Sequence, residues 1–322
     1  MMAPPAAGEA LSGGWGGGSA CSPHKRILIW TSFWGEQSFA WEQIFFRTET
    51  KEQVSRQCPE SRCELVYDHR LLDSAAAVVF HPGDMKPYSL PASRPPGQPW
   101  IFLSFESPLY KVNLARLGGV FNWTMTYRRD SDVVVPYGLL LPRAAPLHLG
   151  RRRDVTHPAF LAHQSAAATP VPEQRLPVHQ SPSLPSQVFP GTNLLKYHRH
   201  QLKLALFVEH VAVDVFGRCG TKKCGKNLSV RTIRTFNQTE CNNEIEKYMF
   251  YLAFENSICL DYITEKFYQA LTLEVVPVVL GGGPYEDIAP PHSYVDALAF
   301  PSPKHLAKYL KRVANDRDAY NG

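Results

Sequence analysis

An apolar segment followed by charged residues supplies the side chains best suited to chemistry on a phosphate. Phe250–Phe254 is apolar and aromatic and ends at Glu255-Asn256, a pattern typical of a buried strand that ends in polar groups. Thr264 is then a candidate N-cap for a helix that begins with Glu265 and Lys266. Free N–H groups at a helix start, beside a lysine, form a site for a phosphate. The stretch therefore predicts a phosphate-binding site, and a sugar nucleotide is a candidate ligand.

The elements that would position this site form a strand–loop–helix–strand unit. Beyond the helix, Val275–Leu280 is predicted to be the next strand, and Gly281–Gly283 a tight turn. In such a βαβ unit the loop lies at a carboxyl strand end, where parallel sheets bind ligands. The alternative is that Lys266 is a solvated helix residue, because Glu–Lys pairs are common on helix faces.

Glu106 follows a second predicted strand, Trp100–Phe105, and so also lies at a carboxyl strand end. Pro108 disfavours helix at Ser107 and fixes the turn that carries the glutamate. A carboxylate in such a place can deprotonate an attacking hydroxyl as a general base. Its alternative role is a turn carboxylate that caps a following helix.

Asp130-Ser131-Asp132 has the spacing of a metal clamp, which would hold Mn²⁺ or Mg²⁺ on a diphosphate. The two arginines directly before it offer these carboxylates cationic partners instead. We favour the ion pairs and predict no metal site, since a helix N-terminus and Lys266 can neutralise a diphosphate without a metal.

Composition describes a folded protein with room for two domains. The chain has 322 residues, 44% hydrophobic and 20% charged, with a formal net charge of +5. This charge suits an anionic nucleotide, but it is too small to indicate nucleic-acid binding. Of the 7 cysteines, Cys58/Cys63 and Cys219/Cys224 are close enough for local disulfides in a secretory compartment, although the pairing stays open.

The predicted architecture is α/β, with two facing Rossmann-like domains and a ligand cleft between them. Residues 1–24 are expected to be disordered, 25–138 form the N-terminal domain, and 196–322 form the C-terminal domain. Residues 139–195 are biased toward Pro, Ala, Ser, His and Gln, which predicts an insertion or linker; an acceptor-recognition loop is the alternative. Further strands are predicted at Ile27–Trp30, Glu64–Tyr67, Ala75–Phe80, Val133–Val135, Leu202–Val208 and Val211–Phe216, and helices at Glu244–Met249 and from Ser302 to about Val313.

The ordered motifs together resemble the α1,3-fucosyltransferases. The resemblance rests on FYLAFENS…DYITEK within Phe250–Lys266, the ESP turn at Glu106, and Asn122–Gly138. It covers Phe105–Gly138 and Leu202–Tyr320, and it implies a GT-B fold and inverting transfer of L-fucose from GDP-fucose. The acceptor it implies is O3 of a GlcNAc residue in a glycoprotein glycan, with no metal cofactor strictly required. Gly217–Cys224 and Tyr285–Asp296 are most similar to the animal core N-glycan type.

The resemblance also implies roles for particular residues. Glu106 would be the catalytic base, Tyr262, Glu265 and Lys266 would hold the diphosphate and sugar, and Glu255 and Asn256 would line the donor pocket. It further implies a type II membrane protein of the Golgi lumen, whose anchor is not in this sequence. Asn227 and Asn237 lie in polar N-glycosylation sequons and are candidate acceptors, whereas Asn122, among aromatic residues, is expected to be inaccessible.

Two departures from the family pattern leave a second function open. Only Glu209-His210 stand between Val208 and Val211, where the family has a longer segment that supplies a phosphate-binding arginine. The C-terminal domain also stops before the family's last segment, as in a truncated chain. The alternative function is therefore a catalytically impaired relative that binds only nucleotide or glycan.

Overall fold

The computed structural model describes residues 25–36, 41, 63–86, 89–108, 117–141, 160–164, 209–217 and 239–321. Its strands form two parallel sheets, one of six strands and one of five. The strands are β1 Lys25–Ile29, β2 Cys63–Val66, β3 Ala77–Phe80, β4 Trp100–Ser104, β5 Trp123–Thr126, β6 Val133–Val134, β7 Phe160–Gln164, β8 Val213–Gly217, β9 Phe250–Phe254, β10 Val276–Leu280 and β11 Val295–Asp296. The α-helices are α1 Thr239–Ile245, α2 Glu265–Thr272, α3 Tyr285–Ile288, α4 Pro303–Ala314 and α5 Arg317–Asn321.

The first sheet has the strand order β2-β1-β3-β4-β5-β6, and every neighbouring pair is parallel. Alternate residues face opposite sides, so Val78 and Phe80 enter one apolar cluster while Val79 enters another. Burial on both faces explains why these strands read as continuous apolar runs. The sheet confirms the predicted parallel arrangement and adds β5, a four-residue strand that was not predicted although its apolar and polar residues alternate.

The second sheet has the order β11-β10-β9-β7-β8, again parallel throughout. After β7 the chain goes to one side of the sheet to form β8, and then returns to the other side for β9. A crevice opens at such a change of direction, outside the carboxyl ends of the strands, and it is the usual ligand site of these sheets. Glu255 follows β9 directly at this position.

Helices cover both faces of the second sheet. Phe267 and Ala270 of α2, both fully buried, pack with Tyr251 on one face. Leu306 and Leu310 of α4 pack with apolar residues on the other face. The predicted N-terminus of α4 is confirmed, because the Ser302 side chain accepts from the His305 backbone N–H and Pro303 occupies the first turn.

One interior strand of the second sheet, β7, differs from the sequence interpretation. Phe160–Gln164 pairs with both β8 and β9, although it lies within residues 139–195, which we predicted to be an insertion or linker. A short apolar stretch surrounded by Pro, Ala and Ser gives little periodic signal, and this composition obscured the strand. The predicted strand at Leu202–Val208 lies outside the described residues, as do residues 1–24. Among the described residues, no helix has the length and hydropathy needed to cross a bilayer.

Candidate active site between the two sheets

Three hydrogen bonds join the carboxyl ends of the two sheets at one place. The Tyr262 hydroxyl donates to Glu106 Oε2 over 3.5 Å, and the Ser107 and Ser257 hydroxyls lie 2.8 Å apart. The Arg129 backbone N–H donates to Asp261 Oδ2 over 3.1 Å. The ESP turn of the first sheet therefore contacts the loop that follows β9 in the second. This arrangement brings the predicted base and the predicted donor-binding residues together.

Aromatic packing fixes Tyr262 in this contact. Its side chain is 1% exposed, and its ring centroid lies 4.8 Å from that of Tyr127 and 6.2 Å from that of Tyr137. The Tyr137 hydroxyl donates to the Phe105 carbonyl over 2.6 Å, directly before Glu106. Two tyrosines of the N-terminal domain thus hold the tyrosine that reaches the base. Tyr127 and Tyr137 both lie within Asn122–Gly138, a segment whose sequence assigns neither of them a role.

Glu255 is the centre of a buried polar network at the start of α2. Its Oε1 accepts from the Thr264 backbone N–H at 2.7 Å, and its Oε2 accepts from the Thr264 hydroxyl at 2.8 Å. Lys266 Nζ donates to Thr264 Oγ1 at 2.9 Å, to Glu265 Oε1 at 3.3 Å and to Glu255 Oε2 at 3.5 Å. Thr264 therefore occupies the predicted N-cap position, but its hydroxyl binds Glu255 and not the helix end.

The charges of this network shift the pKa values of its members. Burial raises the pKa of Glu255, against the opposing pull of Lys266. Burial alone would lower the pKa of Lys266, but the carboxylates of Glu265 and Glu255 outweigh it and raise that pKa. Burial also opposes ionisation of Glu265, yet Lys266 and local hydrogen bonds lower its pKa. At neutral pH the lysine is therefore cationic and close to the helix start, as a phosphate site requires.

Burial raises the pKa of Glu106 above that of an ordinary glutamate. Lys266 opposes this shift, Glu265 adds to it, and the hydrogen bond from Tyr262 lowers the pKa again. A carboxylate with a raised pKa is a stronger proton acceptor, and for that reason glutamate bases in enzymes have pKa values moved toward neutrality. The geometry and the electrostatics of Glu106 both suit a general base.

The glycine turn Gly281–Gly283 follows β10. Because it has no side chains, the loop that follows β9 can pack directly against this turn. A methyl group at Gly282 would lie 2.5 Å from the Cys259 carbonyl oxygen, and one at Gly283 would lie 2.1 Å from the Ile263 side chain. Leu260 and Gly282 also form an isolated parallel bridge. The predicted tight turn is thus a surface against which the backbone on either side of Tyr262 packs.

Asp261, directly before Tyr262, has a left-handed backbone with φ 61°. Such a conformation is uncommon for a residue other than glycine, although aspartate adopts it more readily than most residues. Arg129 of the N-terminal domain holds this residue through its backbone N–H, and its guanidinium donates to Asp287 over 2.8 Å. Asp261 and Asp287 could not be identified from the sequence, because Arg129, which contacts both, lies more than a hundred positions away in the chain.

The other residues predicted from the sequence to be candidates for a site lie apart from one another in the structure. Asn256 is half-buried in the loop after Glu255. Asp130 pairs with Arg128 at 2.7 Å, and Asp132 Oδ2 accepts from the hydroxyl of Thr124 at 2.9 Å. Asp130 thus forms the predicted ion pair with an arginine. Asp132 does not, because its partner is a threonine hydroxyl. Within the described ranges, no three His, Cys, Asp or Glu side chains are grouped as metal ligands.

The sequons and cysteines are described only in part. Asn122 is exposed, which corrects the expectation that it is inaccessible, and its Oδ1 accepts from the Trp100 backbone N–H at 2.7 Å. Asn122 lies directly before β5, at the amino end of that strand. Asn227 and Asn237 lie outside the described residues, as do Cys58, Cys219 and Cys224. Cys63 and Cys259 are free thiols.

Comparisons with known proteins match both halves of the chain. The family model described as "Fucosyltransferase, N-terminal" matches residues 22–138, and that described as "Glycosyltransferase family 10 (fucosyltransferase) C-term" matches 192–322. Alpha-(1,3)-fucosyltransferase C of Drosophila melanogaster is 34% identical over 92% of this chain and 67% of its own length. Alpha-(1,3)-fucosyltransferase 7 of Bos taurus is 36% identical over 92% of this chain and 73% of its own length.

The fold also matches a solved structure. An α1,3-fucosyltransferase crystallised with GDP aligns with a TM-score of 0.54, covering 94% of this chain and 82% of that one at 14% identity. This likeness confirms the GT-B arrangement of two Rossmann-like domains. The sequence matches are more specific than the fold, and they cover both domains. The chain belongs to glycosyltransferase family 10, the fucosyltransferases.

Proposed function

We propose that this chain transfers L-fucose from GDP-fucose to O3 of a GlcNAc residue in a glycoprotein glycan, with inversion at the fucose anomeric carbon. The observation that carries the proposal is the hydrogen bond from Tyr262 to Glu106. It joins a carboxylate with a raised pKa to the loop that precedes the phosphate-binding helix. A base and a donor site must lie this close for a direct displacement.

In this mechanism the two sheets serve different substrates. Glu106 accepts the proton of the acceptor hydroxyl as that oxygen attacks the anomeric carbon of fucose, and the bond to the GDP oxygen breaks. The start of α2 and the ammonium of Lys266 stabilise the negative charge that develops on the departing diphosphate. Glu255 and Thr264 act indirectly, because their hydrogen bonds hold Lys266 in place. Tyr262 positions Glu106 and borders the donor.

Because the second sheet binds the donor in this mechanism, Glu265 and Asn256 lie in the donor site. Glu265 lies in the first turn of α2 with a side chain that is 40% exposed, so it can reach the hydroxyls of a bound sugar. Asn256 follows Glu255 at the carboxyl end of β9, where the crevice of the sheet opens. We propose no metal in this reaction, because Lys266 and the helix N-terminus supply positive charge at the diphosphate.

A transfer assay tests the proposal directly. The protein is incubated with GDP-fucose and a panel of acceptors that carry GlcNAc in the chitobiose core or in terminal galactosyl-GlcNAc. We expect a fucosylated product whose NMR spectrum shows an α1,3 linkage, and therefore inversion of the β-linked donor. A product with retained configuration, or transfer from a different sugar nucleotide only, would refute the proposal.

A second candidate function is nucleotide binding without transfer. Among the described residues around the ESP turn and α2, one ammonium, Lys266, faces the carboxylates of Glu106, Glu255 and Glu265. This balance favours weak binding of an anionic donor, particularly where Glu209-His210 replace a longer segment. GDP binding measured by calorimetry, together with no product from any acceptor, would select this function.

We also infer that the protein works in the Golgi lumen, joined to the membrane by an anchor outside this sequence. Membership of the family and the three sequons support this placement. Immunofluorescence and glycosidase digestion of the endogenous protein test it. A cytosolic, unglycosylated protein would contradict the inference.

A further inference from the structure

The first loop of the N-terminal domain carries an aromatic side chain in an unfavourable backbone conformation. Trp34 has φ 53° and Gly35 has φ 84°, and Phe33 and Glu36 exchange backbone hydrogen bonds of 2.8 and 3.1 Å across them. This is a two-residue hairpin turn with both central residues left-handed, a turn that favours asparagine or glycine at its first central position. Tryptophan there costs stability, so a reason for its presence must lie outside the turn.

The carboxylate of Asp84 and the buried ring of His81 hold the strained turn. Asp84 accepts from the Trp34 backbone N–H at 2.6 Å and from that of Gly35 at 3.1 Å. His81, 2% exposed, lies 2.6 Å from the same carboxylate through Nδ1, and its backbone N–H donates to Thr31 Oγ1 at 2.7 Å. The His81 ring packs against both Phe33 and Trp34, with centroids 4.5 and 5.2 Å away. The turn is therefore fixed and not a flexible loop tip.

The same turn lies beside the proposed base. Trp34 follows β1 and Glu106 follows β4, so both occupy the carboxyl edge of the first sheet, separated only by β3. Phe33 is 3% exposed and meets Phe105, the residue before Glu106, edge to face at 6.0 Å. The turn thus buries Phe33 under the ESP turn and leaves the neighbouring indole of Trp34 half-exposed at the rim.

We propose that Trp34 is the platform on which the acceptor sugar stacks while its hydroxyl meets Glu106. A pyranose with equatorial hydroxyls has an apolar C–H face, and burying that face against an indole ring gains hydrophobic and dispersion energy. The hydroxyls at the ring edge remain free to reach a carboxylate. This assignment rests on the proposed function, and it adds a residue that selects for acceptors with such a face.

Kinetics of Trp34→Asn test the assignment, with the melting temperature measured alongside, because asparagine suits the left-handed turn but loses the indole packing on Phe33 and His81. The acceptor KM should rise by about tenfold or more, since one aromatic stacking contact is lost, while Trp34→Phe should give a smaller rise. The KM for GDP-fucose and the Kd for GDP should not change. The control is Trp123→Ala, because Trp123 is 45% exposed but lies at the amino edge of the sheet, where β5 begins.

The outcomes separate this assignment from the proposed function. If the wild-type protein transfers fucose and Trp34→Asn keeps its acceptor KM, the platform is wrong and the proposed function stands. If Trp123→Ala raises the acceptor KM as much as Trp34→Asn does, the effect is not specific and the platform is again wrong. If the wild-type protein neither transfers fucose nor shifts the NMR signals of any acceptor glycan, the proposed function fails and the platform fails with it.

Discussion

The Tyr262 hydroxyl lies 3.5 Å from Glu106 Oε2, although the two residues are 156 positions apart in the chain. One belongs to the loop before α2 and the other to the turn after β4, so the hydrogen bond spans the two sheets. It couples the protonation of the proposed base to the loop that borders the donor. The first prediction follows from this coupling.

Tyr262→Phe should move the acid limb of the pH profile to higher pH. Transfer requires the ionised form of Glu106, so activity is lost as pH falls through the pKa of that residue. Burial raises this pKa and the hydrogen bond from Tyr262 lowers it, so loss of the hydroxyl should raise it further. The measurement is kcat/KM for the acceptor against pH at saturating GDP-fucose.

Tyr285→Phe is the matched control for that profile. The Tyr285 hydroxyl is buried and has no hydrogen-bond partner among the described residues, so its removal should leave the acid limb in place. An acid limb that stays fixed, or moves to lower pH, in Tyr262→Phe would show that the hydroxyl does not stabilise the ionised base.

Lys266→Ala should weaken GDP binding by roughly 10- to 100-fold, because a hydrogen bond to a charged group contributes about 1.5–3 kcal/mol. The same titration in EDTA should give an unchanged affinity for the wild-type protein. Binding that is lost in EDTA and restored by Mn²⁺ would revive the metal clamp at Asp130 and Asp132. An unaltered affinity in Lys266→Ala would move the diphosphate elsewhere.

Glu255→Ala should lower the free energy of unfolding by about 3–5 kcal/mol, since it removes the fully buried carboxylate that faces the buried ammonium of Lys266. Urea denaturation measures this change. Glu265→Ala is the control and should cost less, because its carboxylate also contacts Lys266 but is 40% exposed, so that solvent screens the pair. Equal losses in the two variants would mean that Glu255 is not the residue that holds the lysine.

Gly282→Ala should reduce both stability and transfer, because its methyl group would lie 2.5 Å from the Cys259 carbonyl oxygen and displace the loop that carries Tyr262. Gly281→Ala should be milder, since its methyl group would meet side chains, the Tyr285 hydroxyl at 2.5 Å and Glu255 at 3.2 Å, and not the backbone of the loop. Melting temperature and kcat of the two variants give the comparison. A Gly282→Ala protein with wild-type kcat would show that the loop position is not critical.

The βαβ unit around α2 was predictable from the sequence, because its two strands are continuous apolar runs and its helix begins at a recognisable N-cap position. Phe250–Phe254 has the predicted bounds, and Val276–Leu280 begins one residue later than predicted. β7 was not predictable in the same way. Its five residues lie in a biased segment, and only pairing with β8 and β9 makes them a strand.

The site was predictable as a set of residues but not as a geometry. The order of the motifs indicated that Glu106, Tyr262 and Lys266 belong to the site. No local sequence pattern predicts that Tyr262 contacts Glu106. The hydroxyl of Thr264 could not be placed from the sequence either. Its residue type predicts that the hydroxyl caps the helix, whereas in the structure it donates to Glu255 across the loop. Such contacts depend on how the sheets pack and have no sequence period.

The most direct test of the account is Glu106→Gln, assayed for donor binding and for transfer in parallel. We predict that the Kd for GDP-fucose stays near the wild-type value while transfer falls by about 10²–10⁴-fold, the range of general acid–base assistance. Glu265→Gln should instead weaken donor binding. If Glu106→Gln transfers fucose at the wild-type rate, Glu106 is not the base and the central claim is wrong.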